Sequence, residues 1–387
     1  MVDIAGATAE ASVRLLTHKR MSPSRTKTGF ALLASGLLAA LACATPAARG
    51  AGRPLDDNAQ RARTFVVAPE RPATATPPSD SAIEAMFARQ VMQKRYVDAL
   101  FAAVLGDDMV VRKVGYPAPD GLTIPAYLFS PRDTGVSRSR PVILFVHGGV
   151  HGDFGLGHIG QVRDLVRRGY VIVAPEYRGS TGYGRRFYDA IDYGGREVDD
   201  VIAARDFLAR EVPWADLDRT AVMGYSHGGY IALFAVIRRP ELFRAAVAHV
   251  PVANLPARMR THPAAYEALF AAQPAYGGTL ETNPRPYIER SPSSHARSLR
   301  RPVLVHAADN DQDVFIVENR ILRDSMVAAG KDTAGLYTYR EWHDPPGGHS
   351  FGVLDTREGR ESWRETVAFL ARHLAPSRRS VSGSTTR

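Results

Sequence analysis

Cysteine is almost absent from the 387 residues: Cys43 is the only one. A single thiol excludes any disulfide within the chain and any metal centre built on cysteines. Long hydrophobic runs are missing as well. The apolar stretch Phe30–Ala42 has 13 residues, too short for a comfortable membrane-spanning helix. No internal repeat is found. The body of the chain also lacks a charge surplus. The formal net charge is +9, but residues 1–50 hold six Lys/Arg against two Asp/Glu and residues 376–387 hold three Arg, which leaves +2 for residues 51–375. Basicity confined to the ends is not a nucleic-acid footprint, and no nucleic-acid partner is expected. His147 and His151 have an i, i+4 spacing, but they lie in His-Gly-Gly-Val-His-Gly, a loop and not a helix. Neither a metal nor any other cofactor is therefore expected.

The first segment that is present reads as an address. Arg25 and Lys27 precede the apolar run, and small residues follow it at Ala42, Cys43, Ala44, Ala47 and Ala48. This is the layout of a secretory signal peptide over residues 1–50, which implies an exported, periplasmic or extracellular protein. Cys43 follows Ala40-Leu41-Ala42, similar to a bacterial lipobox, although Ala stands where Leu is usual. A lipid on Cys43, and through it membrane association, is one expectation; plain cleavage after Ala44 or Ala48 is the other. Met21 is an alternative start. Residues 51–80, rich in Pro, Ala, Thr and Arg, read as a linker. Residues 376–387 read as a disordered basic tail.

Between these ends the periodicity changes from helix to strand and then alternates. Residues 81–108 carry Ile83, Met86, Phe87, Val91, Val97, Leu100, Phe101 and Val104 at helical spacing. Met109–Tyr116 and Leu122–Phe129, split by Pro119-Asp120-Gly121, predict an antiparallel hairpin. From there short apolar strands (142–146, 171–174, 220–223, 245–249, 303–306, 336–339) alternate with helices (159–168, 197–211, 231–237, 314–328, 361–374). That alternation predicts an α/β domain over 109–375, with a mostly parallel sheet covered by helices on both faces. Residues 254–297, with six prolines and little strand pattern, interrupt it as a lid-like insertion. Its Leu255, Met259, Tyr266, Leu269, Phe270 and Tyr276 are expected to form an apolar wall over the site.

One segment carries chemistry directly. Thr220–Met223 leads into Gly224-Tyr225-Ser226-His227-Gly228-Gly229, and a helix follows. A strand, Gly-x-Ser-x-Gly and a helix make the nucleophile elbow of the α/β-hydrolase fold, with Ser226 as nucleophile. A serine hydroxyl needs a base to take its proton. In this fold the acid and then the base follow the serine in the chain. Asp309, Asp311 and Asp313 crowd the loop after strand 303–306, and position relative to Val314 favours Asp311 over Asp309. His343 and His349 flank a Pro-Pro-Gly-Gly turn, and the glycine pair favours His349 as the base. Developing negative charge needs two backbone N–H donors, expected from Gly149 in the His147-Gly148-Gly149 loop and from His227.

Taken in order, these segments resemble the prolyl oligopeptidase family, in particular its acylaminoacyl-peptidase and dipeptidyl-peptidase branches. His147-Gly148-Gly149 is similar to the family's oxyanion loop. Tyr177-Arg178-Gly179-Ser180-Thr181-Gly182-Tyr183-Gly184 is similar to its Arg-Gly-Ser loop, Gly224–Tyr230 to its elbow, and Ser291-Pro292 to its Ser-Pro. Asp311-Gln312-Asp313-Val314 and Gly348-His349 are similar to its acid and base loops. The resemblance implies a serine peptidase acting on short peptides through an acyl-enzyme, with Tyr177, Arg178 and Tyr225 near the substrate; Arg178 is expected to be held in a structural salt bridge, with a substrate carboxylate as the alternative partner. It departs in two respects. About fifty residues lie between the linker start and the first strand, too few for the family's β-propeller. Val150 also stands where a proline often follows the glycines. A carboxylesterase cleaving short-chain or acetyl esters with the same machinery is the alternative, and a binding module without activity the third reading. The sequence leaves the oligomeric state open.

Overall fold

The computed structural model describes residues 79–133 and 135–375. The expected signal segment, Cys43 as the candidate site of a lipid, most of the linker and the basic tail lie outside the described residues. Among the described residues no helix is long and apolar enough to cross a membrane.

The chain enters through helix α1 (Asp80–Leu105), capped where the Ser79 side chain accepts the Ala82 N–H. Its buried positions are Phe87, Lys94, Phe101 and Leu105, one stripe at steps of seven and four. Strands β1 (Val110–Pro117) and β2 (Thr123–Ser130) form the hairpin, one residue beyond the expected boundaries. Then come β3 (Arg140–Val146), α2 (Ile159–Arg167), β4 (Val171–Pro175), the single turn α3 (Arg185–Tyr188), α4 (Arg196–Glu211) and β5 (Ala215–Tyr225). Helix α5 (His227–Arg238), β6 (Ala245–His249) and the insertion follow. The chain closes with β7 (Val303–Ala308), α9 (Ile316–Ala328), β8 (Tyr337–Trp342) and α10 (Arg357–His373). The insertion itself carries α6 (Leu255–Thr261), α7 (Ala264–Ala271) and α8 (Pro284–Glu289).

All eight strands join one sheet in the order β1-β2-β4-β3-β5-β6-β7-β8. The hairpin occupies an edge and pairs antiparallel to β4; from β4 to β8 every pairing is parallel. The two-residue period of the strands sorts side chains onto the two faces. Val142, Leu144 and Val146 of β3 join the core beneath α4, α5 and α9, whereas Ile143 and Phe145 join the core beneath α1, α2 and α10. Strands buried on both faces are why these segments read as unbroken apolar runs. Parallel order also puts every carboxyl end from β3 to β8 on one edge, so the loops that leave those ends gather there.

The insertion differs from its expected form. Pro256, Pro284 and Pro292 each stand in the first turn of a helix, where a missing N–H costs nothing, so these prolines start short helices. Leu255, Met259, Phe270 and Tyr276 are buried in the main core, Tyr266 packs against it, and only Leu269 is exposed. The apolar residues expected as a wall above the site are thus mostly the insertion's own anchor. They are drawn inward because burial removes them from water.

At the carboxyl ends of β6 and β7, His249 and His306 stack at 4.6 Å and are fully buried. Burial pushes His249 down to about 3 and His306 well below its ordinary value. In the unfolded chain both titrate near 6.5, about where exposed imidazoles do. A depressed value in the fold means that this stability is present above the unfolded pKa and is lost as pH falls towards the folded one. The part of Tm that this pair contributes is therefore expected to hold steady above pH 7 and to fall below pH 6.5, each histidine kept neutral costing about 1.4 kcal/mol per pH unit. Differential scanning calorimetry from pH 8 to 4.5 on the wild type and on His249→Gln/His306→Gln checks this, and a Tm difference between the two that does not change below pH 6.5 contradicts it.

Candidate active site

Ser226 follows the last residue of β5 and caps α5, with φ +55° and ψ −120°. A side-chain-bearing residue adopts this conformation only under constraint. The constraint is a close crossing of backbones. A Cβ added at Gly228 would fall inside contact distance of the Val146 and His147 carbonyls, and one at Gly224 inside that of Gly228. The Ser226 N–H bonds the His249 carbonyl at 2.8 Å, tying the turn to β6. His227 begins the helix behind, so its N–H belongs to the set that has no intrahelical acceptor.

The His147-Gly148-Gly149 turn passes directly beside the serine. A Cβ at Gly148 would lie 3.3 Å from that of Ser226. Nδ1 of His147 donates to the Gly148 carbonyl at 3.0 Å. In a trans peptide the N–H points opposite to the carbonyl, so this bond also sets the direction of the Gly149 N–H. Gly149 has φ +73°, and its carbonyl accepts the Tyr177 hydroxyl at 2.6 Å. Tyr177 also stacks on His147 at 4.3 Å.

Beneath this turn lies a charge cluster that the sequence did not reveal. Glu176 is fully buried, with Oε2 3.4 Å from Nε2 of His147 and accepting the Phe154 N–H. Its nearer counter-charge is Lys94 of α1, only 3% exposed, which contacts Glu176 directly, Asp153 at 2.8 Å and the Phe154 carbonyl at 3.0 Å; Lys113 of β1 lies farther off, at 3.9 Å. A buried carboxylate without a partner is expensive, so α1 and the turn hold each other in place.

The residues expected as acid and base, Asp311 and His349, meet at the same sheet edge. Asp311, in the loop between β7 and α9, is buried. Its Oδ1 accepts the N–H groups of Asp313 and Val314 at 2.9 and 2.8 Å. Its Oδ2 receives Nδ1 of His349 at 2.7 Å. Burial pulls the His349 imidazole down, but the hydrogen bond and charge of Asp311, with the charge of Asp313, outweigh it and raise it above its ordinary value. Asp309 pairs with His343 instead, at 2.5 Å, and that imidazole is 90% exposed. Among the described residues no hydrogen bond joins Ser226 Oγ to His349; Nε2 lies 3.5 Å from Asp313 Oδ2. Such bonds are commonly long before substrate arrives.

Of the three residues expected near the substrate, Arg178 takes the structural salt bridge expected of it, and Tyr177 and Tyr225 also bond neighbouring loops. Tyr177 is buried on its two partners. Arg178, also buried, forks to Asp200 of α4 at 2.7 and 2.8 Å and to Asp120 of the hairpin turn at 2.8 and 3.0 Å. It has no face left for a substrate carboxylate. The Tyr225 hydroxyl lies between the Gln161 amide at 2.6 Å and the Gly352 carbonyl at 3.2 Å. The His227 ring is buried among Tyr177, Tyr193 and Tyr230, with Nε2 3.6 Å from Glu197. Burial pushes Glu197 up to about 8 and His227 well below its ordinary value. His147 and His151 serve separate partners, His151 bonding the Gly179 carbonyl at 2.8 Å.

The chain is similar to several known proteins. Dipeptidyl peptidase 8 of Mus musculus is 30% identical over 227 residues, 56% of this chain and 24% of that protein. Dipeptidyl aminopeptidase BIII of Pseudoxanthomonas mexicana is 29% identical over 265 residues, 66% of this chain and 37% of that protein. Among solved structures, a Mycobacterium tuberculosis puromycin-hydrolyzing peptidase superposes with a TM-score of 0.58 at 26% identity, covering 69% of this chain and 40% of that one. The chain thus spans less than two fifths of the length of the curated relatives it matches. The model of the prolyl oligopeptidase family matches residues 160–377, more than half of the chain, and the chain belongs to that family.

Proposed function

We propose that the chain is a serine peptidase that cleaves short peptides through an acyl-enzyme, with Ser226 as nucleophile, His349 as base and Asp311 as its orienting acid. The observation that carries this reading is the Asp311–His349 pair on the sheet edge where Ser226 stands at φ +55° beside the His-Gly-Gly turn. The names of its relatives, a dipeptidyl peptidase, a dipeptidyl aminopeptidase and a puromycin-hydrolyzing peptidase, support the substrate class.

In this mechanism His349 Nε2 takes the proton of Ser226 as Oγ attacks the scissile carbonyl carbon. The carbonyl oxygen gains the negative charge and receives the N–H groups of Gly149 and His227. When the C–N bond breaks, the imidazolium returns that proton to the leaving amine. Water, deprotonated by the same imidazole, then releases the acyl group. Asp311 keeps Nδ1 protonated and compensates the imidazolium.

Ser226→Ala is expected to abolish labelling by a fluorophosphonate probe. Asp311→Asn should leave the fold intact and lower kcat by up to about 10⁴-fold, with Asp309→Asn costing far less. The reverse ranking moves the acid to Asp309. Peptidyl p-nitroanilides should be hydrolysed in a Ser226-dependent way. Turnover of p-nitrophenyl acetate or butyrate with no anilide cleavage would replace the peptidase reading by the esterase one.

Lys94 supplies a further expectation. Lys94→Met leaves the buried Glu176 beneath the oxyanion turn with only the more distant Lys113 as counter-charge, so kcat should fall about 10- to 100-fold with KM little changed, together with a loss in Tm of several degrees. Full kcat in a folded Lys94→Met protein would separate α1 from catalysis.

A further inference from the structure

The acid loop carries a second carboxylate beside the base. Asp313 lies two residues after Asp311, and its Oδ2 reaches within 3.5 Å of His349 Nε2, the nitrogen that must serve Ser226. Asp313 is half exposed, at 50%, and it is not free to swing. Arg258, on α6 of the insertion and almost fully buried, takes Asp313 Oδ1 at 3.1 Å through Nη2 and the Asp313 carbonyl at 2.9 Å through Nη1. The same guanidinium bonds buried Glu318 of α9 at 3.0 Å and the Tyr266 hydroxyl of α7 at 2.7 Å. His262, just past α6, puts Nε2 3.1 Å from the Asp313 carbonyl. The charged and titratable groups around the imidazole are therefore Asp311 on Nδ1, Asp313 on Nε2, and behind Asp313 Arg258, Glu318 and His262.

We infer that Asp313 and Arg258 form an opposed pair of positioning residues that sets the charge state of His349. Asp313 favours the imidazolium from the Nε2 side. Arg258 offsets that charge and holds the carboxylate at arm's length, so that Nε2 remains available to the serine. The inference rests on the reading of Ser226 and His349 as nucleophile and base. The chemistry is electrostatic and forms no bond. Each carboxylate near an imidazole raises its proton affinity, and a guanidinium lowers it. The directions at His349 agree: Asp311 and Asp313 raise it and Arg258 lowers it, against a burial that lowers it first. Asp313 is itself held low by His349 and Arg258, against a burial that raises it, so it remains an anion where the base works.

A purely structural Arg258–Asp313 pair, tying the insertion to the acid loop, would make either substitution destabilising without moving the titration of the base. The opposed pair makes a different demand: the two substitutions must shift that titration in opposite directions. Loss of Asp313 removes a charge that favours the proton, so the base is free at lower pH. Loss of Arg258 removes the counter-charge and releases Asp313 onto Nε2, so the base is free only at higher pH.

The test is the pH profile of the second-order rate of Ser226 labelling by a fluorophosphonate, measured on the full chain from pH 5 to 9. This readout needs no knowledge of the natural substrate. Asp313→Asn should move the acid limb down by about one pH unit, and Arg258→Met should move it up. Because Arg258→Met leaves Glu318 buried and unpaired, Arg258→Met/Glu318→Gln repeats the measurement in a form that removes the stranded charge. Asp313→Glu should restore the wild-type limb. An acid limb that stays in place in Asp313→Asn, or moves up, overturns the inference while leaving the serine hydrolase reading intact. Wild-type protein that does not label at Ser226 at any pH overturns that reading, and the inference with it.

Discussion

The crossing of β5 and α5 over the end of β3 governs the rest of the site. The backbones meet so closely at Gly224, Gly228 and Val146 that no side chain fits between them. The serine between the two glycines is left with a positive φ and no room to relax. Three consequences follow from that one contact. The hydroxyl is lifted to the rim of the sheet, the first N–H groups of α5 face the same space, and the end of β3 is pressed against the serine, so that the turn leaving β3 lies next to it. A helix N-terminus and a turn brought together in this way converge on one point without any loop having to move, which is what stabilising a transient negative charge requires.

Around this rigid centre the loops are held by cations placed in the interior. Lys94 reaches from α1 to Glu176 beneath the oxyanion turn, Arg178 joins the hairpin turn to α4, and Arg258 joins the insertion to the acid loop and α9. Hydrophobic packing is non-directional and would position these loops only loosely. A buried guanidinium fork fixes distance and orientation together, because each N–H must find an acceptor once water is gone. The desolvation is costly, and such pairs contribute little net stability. Their yield is geometry at the rim of the sheet, where a displacement of an ångström matters to catalysis.

The sheet was readable in the sequence because its strands are buried on both faces. Ala245–His249 has the expected boundaries, and the hairpin is displaced by a single residue. The boundaries fail where polar residues do structural work. Strand β5 begins at Ala215, five residues before the apolar run, because Ala215 and Asp216 pair with Arg140 and Pro141 across an irregularity in register. Helix α9 begins at Ile316, two residues late, because Asp311 takes the N–H of Val314. The elbow, the acid loop and the base loop were legible as motifs, since each needs particular residue types at fixed spacing. Arg258 had no such signal: an arginine in a proline-rich segment reads as surface. Lys94 was equally hidden, one lysine among the polar residues of an amphipathic helix, and only its place in the stripe Phe87–Lys94–Phe101 marks it as buried.

The two Asp–His pairs of this region show why composition alone does not make a site. Asp309–His343 and Asp311–His349 are chemically identical, and the first is the shorter, at 2.5 Å against 2.7 Å. Yet His343 is 90% exposed and His349 15%. In water the attraction between the members of the first pair is screened, even though Asp309 Oδ1 also accepts one backbone N–H, that of Asp344 at 2.7 Å. In the second pair Asp311 is fixed by two backbone N–H groups as well as by the histidine, so the carboxylate cannot follow the ring; the ring must follow it. Orientation of a base requires an acid that is itself oriented. Among the described residues at this rim, Asp311 alone combines burial with anchored oxygens, and in the proposed mechanism the neighbouring Asp313, half in solvent and leashed by Arg258, modulates the base without orienting it.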